Sequence, residues 1–331
     1  MKFGGKQAAM LAVVAVLGCN PGSVDVGEGE SSTGEATSTD GTTSSGAAVD
    51  TTTTQDGASG EGSTTEAAGD STGVAPEGSR CEIQPSTLVC THQTKTLFTG
   101  VTGVAPREVH WQTPLGEPPA NGWPAVFLFQ GSLFTAELFW TVLDAEAFGF
   151  WNQGLLTKAL LDAGFVVITP EASLDGNTAW QTNIPPASLA WEESGDHQFM
   201  LDLFEELEAG TFGAVDVSAV YAAGISSGGY MTSRMDEAYR ARFRALAIHS
   251  ASYATCGGPA CVVPGDLDAA HRPTLFLHGG TDVVVPQWTM ELYRDALDAI
   301  GVETGTVLDP GQGHGWIDEA PTAIVSWFQT H

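Results

Sequence analysis

Basic residues are scarce in this sequence. It has 12 Lys and Arg against 40 Asp and Glu, which gives a net charge of −28 at pH 7. Nucleic acid is therefore disfavoured as a partner, because phosphate binding needs clustered Lys and Arg. The same acidity makes an anionic polymer an unfavourable substrate. No Lys or Arg occurs in residues 7–79, and residues 20–79 contain no aromatic residue. Residues 20–79 therefore lack the aromatic side chains that a hydrophobic core would use.

Residues 20–79 are dominated by Thr, Ser, Gly, Ala and acidic side chains, with four consecutive threonines at 51–54. A segment of this composition cannot bury enough apolar surface to offset its ordering entropy. We therefore predict a disordered tether over residues 20–79. A random coil of this length spans roughly 40–45 Å, which would hold a domain clear of a membrane surface.

The N-terminus has the features of an exported protein. Two lysines precede an apolar run that is too short to span a bilayer, so residues 1–19 are predicted to be a signal peptide. The end of this run, VLGC at 16–19, resembles a bacterial lipobox, in which cleavage leaves a lipidated Cys19. We expect an exported protein that contacts the membrane only through this lipid, on the bacterial outer membrane or cell surface. An ordinary secretory signal, with release from the cell, is the alternative.

Four further cysteines fit an oxidising compartment. The simplest pairing joins Cys81 to Cys90 and Cys256 to Cys261, although four cysteines allow three connectivities. Neither pair has the CxxC spacing of a redox or zinc site, and the chain has no HxxxH or HExxH motif. No GxGxxG follows a predicted strand. We predict structural disulfides, no metal and no cofactor.

Residues 80–331 have the composition of a globular domain and hold all nine Trp. Apolar runs of strand length, such as 123–129 and 219–223, alternate with helical patterns, one of which continues from about 133 to 161. This alternation predicts an α/β fold, with a mostly parallel sheet and helices on both faces. The working site of such a sheet lies at the carboxyl ends of its strands.

The motif GISSG at 224–228 supplies a candidate nucleophile, Ser226. A bare GxSxG is weak in a chain with 40 Gly, and a glycine-rich turn without chemistry is the alternative. Here, however, the motif follows an apolar run and opens a plausible helix. That is the strand–turn–helix context of an α/β-hydrolase fold, in which a serine hydroxyl is raised above the sheet.

The other two members of a catalytic triad should follow in the order acid, histidine. His314 lies in GQGHGW after the last predicted strand and is the candidate base, whereas His331 is the last residue. Asp282 follows the apolar run 274–277 and is the candidate acid that orients the imidazole. Asp309 competes with it, five residues before the histidine. His278 is expected to hold its loop by hydrogen bonding.

An oxyanion hole needs two backbone N–H groups. Ser227, the residue after the nucleophile, is predicted to supply one, and Ser132 in the loop after strand 123–129 the other. Many hydrolases have His-Gly in this loop, whereas this chain has Gln130 and Gly131. The backbone N–H group is present with either dipeptide, but the side-chain contacts that support this loop must differ.

These motifs resemble a known family. GISSGGY at 224–230 resembles the lipase box of extracellular medium-chain-length polyhydroxyalkanoate depolymerases, and so does the spacing of 56 residues from serine to aspartate and 32 to histidine. HGGTD at 278–282 and GHGW at 313–316 are similar to polyhydroxybutyrate depolymerases and feruloyl-type esterases. The resemblance covers residues 81–331. It implies hydrolysis of a hydrophobic polyester through an acyl-enzyme, without a separate substrate-binding domain.

Two aromatic regions could contact such a polymer. The residues between 134 and 151 are more typical of a helix core, so we expect contact from the 169–195 loop, through Trp180 and Trp191. The alternatives are a small-ester carboxylesterase or feruloyl-type esterase with the same triad, and a surface lipoprotein that binds a ligand without catalysis.

Overall fold

The structure is a computed structural model that describes residues 78–101, 103–173, 179–257 and 260–331. The predicted signal peptide, Cys19 and all but the last two residues of the predicted tether lie outside the described residues. No helix within the described ranges is long and apolar enough to cross a membrane.

An eight-stranded sheet forms the centre of the fold, in the order β11-β10-β9-β8-β5-β7-β4-β3. The six strands from β11 to β7 pair in parallel, and β4 and β3 extend the sheet antiparallel at one edge. A separate three-stranded antiparallel sheet has the order β1-β2-β6. The strands are β1 Cys81–Gln84, β2 Thr87–Cys90, β3 Gln93–Leu97, β4 Arg107–Gln112, β5 Trp123–Phe129, β6 Thr141–Leu143, β7 Val166–Pro170, β8 Val215–Ile225, β9 Leu246–His249, β10 Thr274–Gly279 and β11 Thr304–Asp309.

In the described part of the chain, five α-helices cover this sheet. They are α1 Phe150–Asp162, α2 Gly195–Glu208, α3 Ser227–Tyr239, α4 Gln287–Ala299 and α5 Ala320–Thr330. Short 3-10 helices form at Ala136–Phe139, Gln181–Asn183, Trp191–Glu193 and Arg240–Arg242. The predicted α/β-hydrolase architecture, a mostly parallel sheet with helices, is confirmed.

The apolar runs of the sequence become strands that are buried on both faces. Along β5, Val126 and Leu128 pack with α1 and α5, whereas Phe127 and Phe129 pack with α2 and α3. Because successive side chains of a strand point to opposite faces, a strand with helices on both sides must be apolar throughout. The helix α4 packs on the same side as α2 and α3, against Phe276 of β10.

The segment predicted as one helical pattern from about 133 to 161 is different in the structure. Only Phe150–Asp162 is α-helical; before it lie a 3-10 turn and strand β6. Phe148 and Gly149 have φ of 62° and 67°, a left-handed conformation that a right-handed helix excludes. Strand β6 forms because it pairs with β2, a contact between distant segments that local periodicity does not report.

The predicted disulfides are present. Cys81 and Cys90 are bonded across the β1–β2 ladder, where they are directly opposite each other. Cys256 is bonded to Cys261. Both bridges close short loops, of 9 and 5 residues in sequence separation.

Candidate active site

Ser226 lies in the sharp turn between β8 and α3. Its backbone has φ 56° and ψ −121°, a sparsely populated conformation for a residue with a side chain. The surrounding chain holds it there: its N–H donates to the His249 carbonyl at 3.0 Å, and its carbonyl accepts from the Tyr230 N–H at 3.0 Å. Strain of this kind persists only where packing over-determines it.

The glycines of the motif are required by close backbone approach. A Cβ added to Gly224 would lie 2.4 Å from the Gly228 carbonyl oxygen, and one added to Gly228 would lie 2.0 Å from the Phe129 carbonyl oxygen. Both distances are far below van der Waals contact. The spacing of the glycines thus reflects how tightly α3 crosses the ends of β8 and β5.

Asp282 and His314 form a buried pair. Asp282 Oδ2 lies 2.7 Å from His314 Nδ1, and Asp282 Oδ1 accepts hydrogen bonds from the N–H groups of Val284 and Val285 at 2.8 and 2.9 Å. Burial by itself would raise the pKa of the Asp282 carboxyl, but His314 and the two N–H groups lower it below its usual value. The carboxylate therefore fixes Nδ1 of the imidazole as the protonated nitrogen.

The competing residues have other partners. Asp309 Oδ1 accepts hydrogen bonds from the N–H groups of Gly311 and Gln312, at 2.8 and 3.2 Å, and so stabilises the turn that leads to the histidine. His278 Nε2 donates to the Val285 carbonyl at 2.9 Å, which holds its loop as expected. Asp282, rather than Asp309, is the acid in contact with His314.

A small pocket joins the serine to the histidine. Ser226 and His314 both line it, and its other walls are apolar: Gly131, Phe134, Phe148, Phe150, Ile225 and Gly315. His314 Nε2 is buried, and no described residue gives it a hydrogen-bond partner. A neutral imidazole whose Nδ1 carries the proton presents a lone pair at Nε2, which is the requirement for a general base.

The loop that carries His314 packs against the segment that carries the pocket-lining Phe148. The Trp316 N–H donates to the Phe148 carbonyl at 2.9 Å. A Cβ on Gly149 would lie 2.2 Å from the Trp316 carbonyl oxygen, and one on Gly315 would lie 2.8 Å from the Phe148 carbonyl carbon. The glycine after the histidine is therefore a packing requirement. The rings of Phe134, Phe148 and Phe150 contact one another with centroids 4.6–6.3 Å apart.

The loop after β5 brings Gly131, rather than Ser132, to the pocket. A Cβ on Gly131 would lie 3.7 Å from Ser226 Cβ, so the backbone here lies beside the serine. Ser132 is the next residue, half-buried and outside the lining. Ser227 is the first residue of α3, so its N–H has no acceptor within the helix.

Gln130 and Glu171 support this loop from beneath. Gln130 is buried, and its amide donates to the Phe134 carbonyl. Glu171 follows β7, is 6% exposed, and accepts a hydrogen bond from the Ala136 N–H. Burial raises the pKa of Glu171 to about 7, against the lowering effect of the Ala136 N–H. No sequence motif predicts this contact from Glu171. In the sequence, only the Gln-Gly dipeptide distinguishes the loop after β5.

The raised pKa of Glu171 predicts a pH-dependent stability. Because the folded carboxyl binds its proton more tightly than the unfolded one, unfolding releases a proton between about pH 4.5 and 7. The stabilisation that this carboxyl gives to the folded state is fully present below pH 4.5 and is lost as the pH rises to about 7, a loss of roughly 3 kcal/mol. We expect urea titrations to show that Glu171→Gln removes this part of the pH dependence.

Exposed Glu117 offers the control, since Glu117→Gln should leave the pH profile of stability unchanged. A Glu171→Gln profile parallel to that of the wild type from pH 4 to about 8 would contradict the assignment.

Trp180 and Trp191 lie in the core, away from the pocket. Trp180 is fully buried, its ring packs edge-on against Phe129 at 5.2 Å, and its backbone N–H donates to Ser227 Oγ at 2.9 Å. Trp191 is 5% exposed and its indole N–H donates to the Tyr239 hydroxyl at 3.2 Å. Because both side chains are buried, they are not available for the predicted contact with a polymer. Phe134, Phe148 and Phe150, which were expected in a helix core, line the pocket instead.

The sheet, the strained serine turn and the buried Asp–His pair are the features of an α/β-hydrolase. Two solved structures share this fold at low identity. A ferulic acid esterase from Anaeromyces mucronatus, in complex with ferulic acid, matches with a TM-score of 0.53 and 15% identity, over 77% of this chain and 95% of that one. A putative dipeptidyl aminopeptidase IV from Bacteroides ovatus matches with a TM-score of 0.52 and 14% identity, over 73% of this chain and 36% of that one.

The sequence comparison defines the family. The chain is 45% identical over 259 residues to the poly(3-hydroxyoctanoate) depolymerase of Pseudomonas fluorescens, which covers 76% of this chain and 91% of that protein. No protein-family model matches the chain. The chain belongs to the polyhydroxyalkanoate depolymerase family and is a carboxylic ester hydrolase.

Proposed function

We propose that the protein hydrolyses the ester bonds of a hydrophobic poly(3-hydroxyalkanoate) with medium-length side chains. The observation that carries this proposal is the pocket beside Ser226, whose remaining walls are three phenylalanines, one isoleucine and two glycines. An apolar wall favours an alkyl side chain over a polar one, since its burial removes apolar surface from water. The substrate named for the Pseudomonas fluorescens relative has side chains of this kind.

Ser226 is the proposed nucleophile and His314 the base. His314 Nε2 accepts the proton of the Ser226 hydroxyl as the oxygen attacks the ester carbonyl, and Asp282 stabilises the imidazolium that forms. The oxyanion is stabilised by the Ser227 N–H and by an N–H of the loop at Gly131 and Ser132. His314 gives this proton to the departing alkoxide, which leaves as an alcohol, and the acyl group remains bonded to Ser226 Oγ as the acyl-enzyme.

Water then completes the cycle. His314 takes a proton from a water molecule, which attacks the acyl-enzyme carbonyl, and gives that proton to Ser226 Oγ as the ester bond breaks. The products are a hydroxyl-terminated chain and a carboxylic acid. No redox partner is required, because each step moves only a proton and an acyl group.

Clearing of polymer latex tests the proposal. The purified protein should clear poly(3-hydroxyoctanoate) latex and release 3-hydroxyoctanoate, and should clear poly(3-hydroxybutyrate) latex much more slowly. Hydrolysis of p-nitrophenyl octanoate with clearing of neither latex would overturn the polyester proposal and leave a small-ester or feruloyl-type esterase. Failure to hydrolyse any of these esters would favour the non-catalytic binding protein.

The aromatic pocket predicts a chain-length preference that one substitution should reduce. Phe134→Ala removes a half-buried wall while leaving the serine and histidine in place. We expect kcat/KM for p-nitrophenyl octanoate to fall about tenfold, with little change for the acetate ester, because only the longer chain contacts the ring. Phe98→Ala, at a phenylalanine that is 74% exposed, is the matched control. An equal loss on both esters would contradict an acyl-chain role.

We further propose that residues 1–19 direct export, that Cys19 carries a lipid, and that residues 20–79 tether the catalytic domain of residues 80–331. The two disulfides support export, because such bonds persist in oxidising compartments. Detergent phase partitioning tests the anchor: wild-type protein should enter the detergent phase and Cys19→Ala the aqueous phase. Aqueous partitioning of both proteins would instead indicate an ordinary secretory signal.

A further inference from the structure

Two histidines and a glutamate meet on the far side of the loop after β5. His92 lies between β2 and β3, His110 is in β4, and Glu137 is in the 3-10 helix that follows the loop. Glu137 Oε2 is 3.2 Å from His92 Nε2 and 3.5 Å from His110 Nδ1, and the three atoms all lie within 4.8 Å of one another. None of the three residues lines the pocket at Ser226.

The hydrogen bonds of His92 leave a lone pair directed at this centre. His92 Nδ1 is 3.3 Å from the Cys90 carbonyl oxygen, which can only accept a hydrogen bond, so Nδ1 carries a proton. In the neutral ring Nε2 then faces the Glu137 carboxylate as a second acceptor. At this distance a cation lies between the two groups, either a proton on the ring or a metal ion. An imidazole that donates its other nitrogen to a backbone carbonyl is the arrangement found around metal-binding histidines.

Two of the three distances between the ligand atoms fit a tetrahedral ion. His110 Nδ1 also lies 3.0 Å from the Thr94 hydroxyl, and a bound ion would take the place of that hydrogen bond. Ligands at 2.0–2.2 Å from zinc lie roughly 3.3–3.5 Å from one another, close to the two distances that involve Glu137. Two imidazoles and one carboxylate form a ligand set suited to zinc. Glu137 is 47% exposed, which leaves a route for the ion and a fourth position for water. We propose that His92, His110 and Glu137 bind a zinc ion.

The ion would link three separate parts of the chain. His92 follows the disulfide-bonded Cys90, His110 belongs to the antiparallel edge of the sheet, and Glu137 adjoins the loop that Glu171 supports. Its role is therefore structural: it holds the 3-10 helix against the sheet edge. No sequence motif marks this site, because the three ligands are 18 and 27 residues apart.

Zinc titration of the tag-free full chain, after chelator treatment, tests this site. Calorimetry should give one zinc per chain with a raised melting temperature, and cobalt should give the visible absorption of a tetrahedral site. Glu137→Gln and His92→Gln should each weaken zinc binding by at least about 100-fold. Exposed Glu117→Gln and pocket-lining His314→Ala should bind as the wild type does, which separates this site from the pocket at Ser226.

Two results would overturn the proposal. The first is no saturable binding up to about 1 mM zinc, as expected if a proton on His92 is the only cation beside Glu137. The second is wild-type affinity in both ligand variants. Glu137→Gln is decisive if His92→Gln fails to fold, because His92 also stacks on Trp140 with ring centroids 4.9 Å apart, whereas Glu137 is half-exposed.

Discussion

Ser226→Ala is expected to lower kcat for p-nitrophenyl octanoate by roughly a million-fold, to a rate set by the remaining binding and oxyanion groups. The methyl group cannot form an acyl-enzyme, so no other residue can replace the lost step. The Ala side chain fits the same turn, because the strain at φ 56° is a backbone property. The variant should therefore bind substrate and melt close to the wild-type temperature.

Burst kinetics measure the loss of acyl-enzyme formation in Ser226→Ala, and latex clearing measures the loss of polymer hydrolysis. Ser326→Ala, on the exposed side of α5, is the matched control and should retain full activity. Residual activity above about one per cent in Ser226→Ala, free of wild-type contamination, would assign the nucleophile elsewhere.

Asp282→Asn is expected to lower kcat by about ten-thousand-fold without loss of fold. The amide can still accept from the Val284 and Val285 N–H groups, which keeps the loop in place. Its NH2 group, however, would donate to His314 Nδ1 and so place the imidazole proton on Nε2. That tautomer cannot accept the proton of Ser226.

Asp309→Asn is the informative comparison. Asp309 accepts from two backbone N–H groups, and an Asn oxygen can do the same, so activity should change by no more than a few fold. A large loss at residue 309 and a small one at residue 282 would exchange their assigned roles.

The fold could be predicted from the sequence because each central strand is buried on both faces. The run at 123–129 has no polar residue to allow another placement, and it forms β5 throughout. The helix prediction over 133–161 failed where tertiary contacts decide the conformation. Strand β6 exists by pairing with β2, and the turn at Phe148 exists because Trp316 packs against it.

The candidate site was predictable to the extent that its chemistry is tied to local motifs. GxSxG and the two residues after predicted strands mark Ser226, Asp282 and His314 as candidates without any knowledge of contacts. The pocket walls could not be found in this way, since an aromatic residue in a core and one in a pocket look alike in sequence. Trp180 illustrates the difference: its loop belongs to the catalytic edge, but its ring is fully buried.

The shape of the pocket and the position of the His314 imidazole depend on the same contact between two segments of main chain. This dependence limits how the range of substrates can change. The Phe148 carbonyl holds Trp316, and Gly149 lies against the same residue, two positions after His314. A shift of the main chain that widened the pocket here would also displace the imidazole. Variation in acyl-chain length should therefore arise through side-chain size at Phe134 and Phe150, on an unchanged main chain. Libraries that keep residues 148–149 and 313–316 fixed should give altered specificity with retained turnover.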